Sequence, residues 1–165
     1  MNLFNAKTLK RHIRIEEVPA DHLALLEAWG ELIRSGRVHA LKETALHGEF
    51  ASKIVEGVLG YHGPAGGADY TVATEQAILR GSVDLALGGL GGATPEILAP
   101  IELKGADTRD LDAIMPGRNK SPVQQAWEYA MNARGVKWVL VSNSRAFRVG
   151  RLDHTRPLGD RATYC

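Results

Sequence analysis

Gly81-Ser82-Val83-Asp84-Leu85-Ala86-Leu87-Gly88, followed after a glycine-rich gap by Ala99-Pro100-Ile101-Glu102-Leu103-Lys104, is the stretch on which the reading of the fold turns. Each run has the length of a buried strand and is bounded by glycine or proline. Each also carries charge where a buried strand is expected to be apolar. A carboxylate held away from water is costly unless it is paired or binds a metal. Alternation along a strand puts Glu102 and Lys104 on one face and Leu103 on the other. The gap Gly88-Gly89-Leu90-Gly91-Gly92-Ala93-Thr94-Pro95 reads as a hairpin loop, so the two strands are predicted to be antiparallel neighbours. Asp84 is then expected to join Glu102 around one divalent cation. The competing reading, an edge hairpin with solvated acids, leaves the apolar surroundings of both acids unexplained.

Outward from this pair, residues about 4–17 are mixed and basic and read as a short helix or an arm. Pro19-Ala20-Asp21 starts a helix with Asp21 as its N-cap, and Leu23, Leu25, Leu26, Trp29, Leu32 and Ile33 draw its apolar stripe to a stop at Ser35-Gly36. A second helix is predicted from about Val38 to Leu59, closing at Gly60, and then a glycine-rich loop from His62 to Asp69. Strands are expected at about 70–79, 82–88 and 97–104. After an irregular polar segment from Gly105 to Ser121, Pro122 occupies the first turn of a helix capped by Ser121 and running to about Ala133. Lys137–Ser142 and Ala146–Leu152 are two more strands joined through Asn143-Ser144-Arg145. The expected class is therefore α/β (α+β): a mixed β-sheet of about five strands flanked by helices.

Two helices add candidates. From Glu43, steps of four, three, four and four residues reach His47, Phe50, Ile54 and Val58, all on one face at about 100° per residue. Glu43 thus lies on the stripe expected to pack on the sheet, whereas Glu49 falls on the polar side with Lys53 and Glu56. A glutamate on that stripe is expected to point into a site; the plainer alternative is a first-turn acid at the stripe's solvent end. His47 reads as an interior or rim histidine rather than a ligand. In the later helix, Gln125 and Tyr129 stand four residues apart and share a face.

The 165 residues suit one domain with a sizeable core, and 44% hydrophobic and 24% charged content is ordinary for a soluble globular chain. The formal charge of +1 hides an uneven distribution. Arg134, Lys137, Arg145, Arg148, Arg151, Arg156 and Arg161 face only Asp153 and Asp160, so the C-terminal segment is either a phosphate-binding face or a solvated surface. A single Cys165 excludes an internal disulfide and fits a reducing cytoplasm. No run is apolar enough to span a membrane, and none reads as a signal peptide. The ending Arg161-Ala162-Thr163-Tyr164-Cys165 reads as that of a fragment of a longer protein.

The order Asp84, then Glu102-Leu103-Lys104, resembles the signature of the PD-(D/E)XK nuclease superfamily. Gln124-Gln125-Ala126-Trp127-Glu128-Tyr129 resembles the Gln-x-x-x-Tyr motif that follows it in several branches. Together with Leu41-Lys42-Glu43-Thr44-Ala45-Leu46-His47-Gly48-Glu49-Phe50, the closing Leu59-Gly60-Tyr61, and Trp138-Val139-Leu140-Val141-Ser142-Asn143, most of residues 18–153 looks like the N-terminal endonuclease domain of a type IIG restriction-modification enzyme. The Pro-Asp form is absent, since Val83 precedes Asp84. The resemblance implies a single nuclease domain over 1–165, with N-terminal helices in 1–60 and a restriction-endonuclease-like catalytic core at about 38–153. It also implies a Mg²⁺-dependent (or Mn²⁺-dependent) deoxyribonuclease acting on double-stranded DNA. Methyltransferase and target-recognition domains are expected C-terminal to it in the same polypeptide, with a possible dimer on DNA. The implied metal ligands are Asp84, Glu102, the Leu103 carbonyl and Glu43. Lys104 is implied to orient the attacking water, with Gln125 and Tyr129 in support. Arg109, Arg118 and Lys120 are expected to contact phosphates, and Asp107, Asp110 and Asp112 to serve as loop and cap residues. Two other readings stay open: a stand-alone repair-type nuclease of the same superfamily, and a non-catalytic DNA-binding or assembly module.

Overall fold

The computed structural model describes residues 6–12, 14, 17–78, 81–133, 135–152 and 162–164. Helices α1 (Ala6–His12) and α2 (Ala20–Arg34) lead, followed by a 3₁₀ turn at Arg37–Ala40 and by α3 (Glu43–Glu49), which continues as a π-helix over Phe50–Glu56. Strands β1 (Val72–Ile78), β2 (Gly81–Gly89) and β3 (Glu96–Leu103) precede helix α4 (Pro122–Asn132); β4 (Trp138–Ser142), β5 (Phe147–Leu152) and β6 (Ala162–Tyr164) complete the sheet.

The sheet runs β1-β2-β3-β4-β5-β6, antiparallel throughout except for the parallel pair β3–β4. That parallel pair requires a crossover connection, which α4 supplies. The sheet is mixed and helix-flanked as expected, with a sixth strand at Ala162–Tyr164 beyond the five expected. Arg134, Asp153, Arg156, Asp160 and Arg161 of the expected basic segment lie outside the described residues.

One face of the sheet is covered by α3 and its π extension. Phe50, Ala51, Ile54 and Val55 pack there with Val72, Leu85, Leu87, Ala99, Ile101 and Leu103. Helix α4 sits over β3 and β4, and its Val123, Ala126, Trp127 and Ala130 pack with Val139, Val141 and Leu152. Ser121 caps α4 by accepting from the Gln124 amide at 3.1 Å, while the Gln124 side chain accepts from the Ser121 amide at 3.0 Å. This reciprocal pair is a capping box, and Pro122 costs nothing at a position whose N–H has no helical partner.

Three details of the expected order are corrected. The helix expected over 38–59 is broken, because Leu41 and Lys42 are both extended (ψ 138° and 147°) and separate the 3₁₀ turn from α3. Beyond Glu49 the turns widen to i→i+5 bonds, as from the Gly57 amide to the Ser52 carbonyl, and this adds Ala51 and Val55 to the buried face. Asp21 is not the N-cap of α2. Pro19 holds that place without a side-chain bond, and Asp21 stands in the first turn, where its charge favours the helix dipole.

The β2–β3 hairpin contains a bulge at Leu87/Gly88. A Cβ at Gly88 would lie 2.0 Å from the Glu96 carbonyl oxygen, so the strands approach this closely only over a glycine. Among the described residues no helix is long and apolar enough to cross a membrane.

Candidate active site

Register brings the acids together. In β2–β3 the partners Leu85↔Ile101, Ala86↔Pro100 and Leu87↔Ala99 fix the alignment, and one further step places Asp84 beside Glu102. There the side chain replaces the ladder: Asp84 Oδ2 accepts from the Leu103 amide at 2.6 Å. Lys104 follows two residues after Glu102, and its own amide donates to the Ser142 carbonyl at 2.8 Å. That bond holds the strand end against β4.

Glu102 is the most enclosed member, with its side chain 5% exposed, against 12% for Lys104 and 31% for Asp84. Its Oε1 accepts from Lys104 Nζ at 2.6 Å and from Gln125 Nε2 at 2.9 Å. No donor among the described residues reaches Oε2. Burial pushes the Glu102 carboxyl above its ordinary value of 4.5, and the neighbouring Asp84 charge adds to this; the Lys104 hydrogen bond and charge, and more weakly Arg118, oppose it.

A raised folded-state pKa means that the native state holds the proton more tightly than the unfolded chain does. Glu102 therefore contributes stability that is full below its unfolded value near 4.5 and lost as pH rises through its higher folded value. Denaturant titrations across that window are expected to show stability falling with pH from this group in wild type, and a flatter profile in Glu102→Gln. Equal slopes in the two proteins would show that Glu102 does not titrate abnormally.

Helix α3 brings Glu43 and His47 to the same cavity. Glu43 is the first residue of the helix and its side chain is 53% exposed, so the buried-stripe placement is corrected: it stands at the solvent end. It nonetheless lines the cavity, and its Oε1 accepts from the Gly105 amide at 3.0 Å. His47, expected to be an interior or rim residue, lies between two acids. Its Nε2 is 3.8 Å from Glu43 Oε1, and its Nδ1 is 3.9 Å from Asp84 Oδ1. Its Nε2 is buried and has no hydrogen-bond partner among the described residues. The signal was present in the sequence, since His47 follows Glu43 at i+4. Glu49 is exposed and does not line the cavity, as its helix phase predicts.

Gln125 and Tyr129 reach the site from α4. Gln125 Nε2 stands 3.4 Å from the Tyr129 hydroxyl, and the Tyr129 ring lies over Gly81, where a Cβ would meet it at 3.1 Å. Arg118 Nη1 donates to Gln125 Oε1 at 3.1 Å. Glu75 was not foreseen. It faces Asp84 across β1–β2, between the partners Thr74↔Leu85 and Gln76↔Val83, and lines the cavity with a left-handed φ of 48°. That conformation costs a non-glycine residue roughly 1–3 kcal/mol, and only pairing register could have exposed the residue.

The resulting cavity is open, has a volume of about 600 Å³, and is lined by acids, Lys104 and Arg118. Among the described residues no three of His, Cys, Asp and Glu converge tightly enough to form a metal cage. The donor set still fits Mg²⁺, which is usually held by one or two carboxylates together with waters and substrate phosphates. Glu102 provides the observation that favours a cation: a largely buried carboxylate lining the open cavity, with both of its donors on Oε1.

Of the other charged residues, Lys120 pairs with Glu128 and Arg148 with Asp112 at 3.0 Å. Asp107 meets His39 at 2.6 Å, and Asp110 accepts from the Asp112 amide at 2.9 Å. Of the three aspartates expected as loop and cap residues, Asp110 accepts from a loop amide, whereas Asp107 and Asp112 form ion pairs with His39 and Arg148. Arg109 is exposed and lies outside this cavity. No family model, no curated protein and no solved structure matches the chain.

Proposed function

We propose that this domain is a metal-dependent DNA endonuclease with a PD-(D/E)XK, restriction-endonuclease-like core, and that it serves as the cleavage module of a type IIG restriction-modification enzyme. The observation that carries this reading is the convergence of Asp84, Glu102 and Lys104 at the open end of β2–β3, with Lys104 and Gln125 both on Glu102 Oε1. A structural salt bridge would not need the Gln125 donor, the neighbouring Asp84 or an open cavity.

Asp84, Glu102 and the Leu103 carbonyl would hold the cation, with Glu43 binding directly or through water. When bound, a divalent cation supplies a water of lowered pKa and a Lewis acid for the phosphodiester. The chain's own residues do the rest. Lys104 orients the attacking water and offsets the charge that builds on the phosphorane. Gln125 and Lys104 together hold Glu102 through Oε1, which would leave its other oxygen for the cation. Tyr129 supports Gln125. Double-stranded DNA is the proposed substrate and Mg²⁺, or Mn²⁺ in its place, the proposed cofactor. Methyltransferase and target-recognition domains in the same polypeptide, and a dimer on DNA, belong to the same proposal.

The test is nicking of supercoiled plasmid with and without Mg²⁺ or Mn²⁺. Conversion to the open circle only with the cation supports the reading, and its absence at all cation and protein concentrations overturns it. Within that assay Glu43→Ala is expected to lower the rate about 10- to 100-fold, in the range for residues that orient metal ligands. Glu49→Ala is expected to cleave at close to the wild-type rate. The reverse order would show that α3 faces the site differently.

A further inference from the structure

Arg118 enters the site by a route that the motif does not contain. It sits in a small loop closed at its base by the Met115 amide on the Lys120 carbonyl at 2.9 Å, with the Arg118 amide on the Met115 carbonyl at 3.2 Å. The residues on either side, Gly117 (φ 78°) and Asn119 (φ 50°), are both left-handed. Glycine and asparagine are the residues that tolerate this conformation best. The loop is thus built to put residue 118 at its tip, where the side chain lines both the site cavity and a neighbouring one shared with Lys120, Glu128 and Asn132.

The geometry points to Arg118 as a positioning residue for phosphodiester cleavage, one that sets the orientation of the Gln125 amide and through it the orientation of Glu102. A guanidinium has only donors, so it must meet the amide oxygen of Gln125. An ionised carboxylate has only acceptors, so Glu102 must meet the amide nitrogen. The two ends agree: Arg118 Nη1 lies 3.1 Å from Gln125 Oε1, and Gln125 Nε2 lies 2.9 Å from Glu102 Oε1. A flipped amide would set oxygen against carboxylate and nitrogen against guanidinium. Anchored from outside, Gln125 joins Lys104 in occupying Oε1, which leaves Oε2 of Glu102 for a cation. The inference rests on the proposed nuclease reading for its consequence in catalysis, but the anchoring is a property of the protein alone.

Two measurements test it. In the side-chain amide NMR spectrum, the Gln125 NH₂ signals are expected to be shifted and slowly exchanging in wild type. They are expected to move toward solvent-exposed values in Arg118→Met and return most of the way in Arg118→Lys. Unchanged Gln125 signals in Arg118→Met would overturn the proposal whether or not the chain cuts DNA, whereas a wild-type protein that cuts nothing would overturn only the functional reading. In single-turnover cleavage, Arg118→Met is expected to lower the rate constant roughly 10- to 100-fold, with KM unchanged. Gln125→Ala should do the same, and the double variant should lose no more than Gln125→Ala alone. Multiplying losses, or an effect confined to KM and its salt dependence, would make Arg118 a direct phosphate contact and overturn the positioning role.

Discussion

Lys104→Ala is expected to lose cleavage by two to three orders of magnitude or more, the scale set by removing one preorganised charge-stabilising donor from an active site. The reason lies in what surrounds it. Among the described residues Lys104 is the only cation in direct contact with Glu102, at 2.6 Å, and it is almost as enclosed as its partner. Deleting one member of a buried pair commonly costs 3–5 kcal/mol, because the remaining charge is stranded. Here the stranded group can escape, since burial already pushes Glu102 toward its protonated form. A smaller loss, about 1–3 kcal/mol at neutral pH, is therefore expected in urea denaturation. The double variant Lys104→Met with Glu102→Gln is expected to recover most of that stability and none of the cleavage. Retained cleavage in Lys104→Ala would remove Lys104 from the chemistry.

Asp84→Asn carries the second large effect. The amide oxygen of asparagine can still accept from the Leu103 amide, now received by Asp84 Oδ2 at 2.6 Å, so the strand end keeps its tie. The charge, however, is gone. Cleavage is expected to fall by at least about 10²-fold, as for loss of one charge-stabilising group, with little change in the urea midpoint. Asp84→Ala should lose cleavage equally and in addition about 1–3 kcal/mol of stability, because the Leu103 N–H is then left without an acceptor. The contrast between the two variants separates the charge of Asp84 from its place in the ladder. Similar stability in both would mean that the Leu103 amide finds another partner.

Much of this arrangement was legible in the residues. The strands of the hairpin were marked by apolar runs with acids out of place, and α4 by Ser121-Pro122 at its start. Asp84, Glu102 and Lys104 followed from alternation and one correctly placed turn, because a strand's period leaves no choice of face once its partner is known. The i+4 spacing of Gln125 and Tyr129 gave them a shared face, but it was the likeness to Gln-x-x-x-Tyr that singled them out.

What was not legible depended on long-range closure. Nothing local marks the turn at Leu41-Lys42 that shortens the predicted second helix and moves Glu43 to a solvent-facing first turn. The widening to a π-helix depends on what Phe50, Ala51, Ile54 and Val55 pack against. Glu75 became visible only through the β1–β2 register. Arg118 read as one more basic residue in a polar loop until its contact with Gln125 was known. His47 shows the intermediate case: its phase was right, but only the position of β2 reveals Asp84 on its other side.

Calorimetric titration of Mn²⁺ or Mg²⁺ into the wild-type protein and into Asp84→Asn tests the central claim most directly, because it needs no knowledge of a DNA target. Binding is expected in the wild type and is expected to be lost in the variant while the fold is retained. Undiminished binding in Asp84→Asn would place the cation away from the β2–β3 hairpin and rule out Asp84 as its ligand.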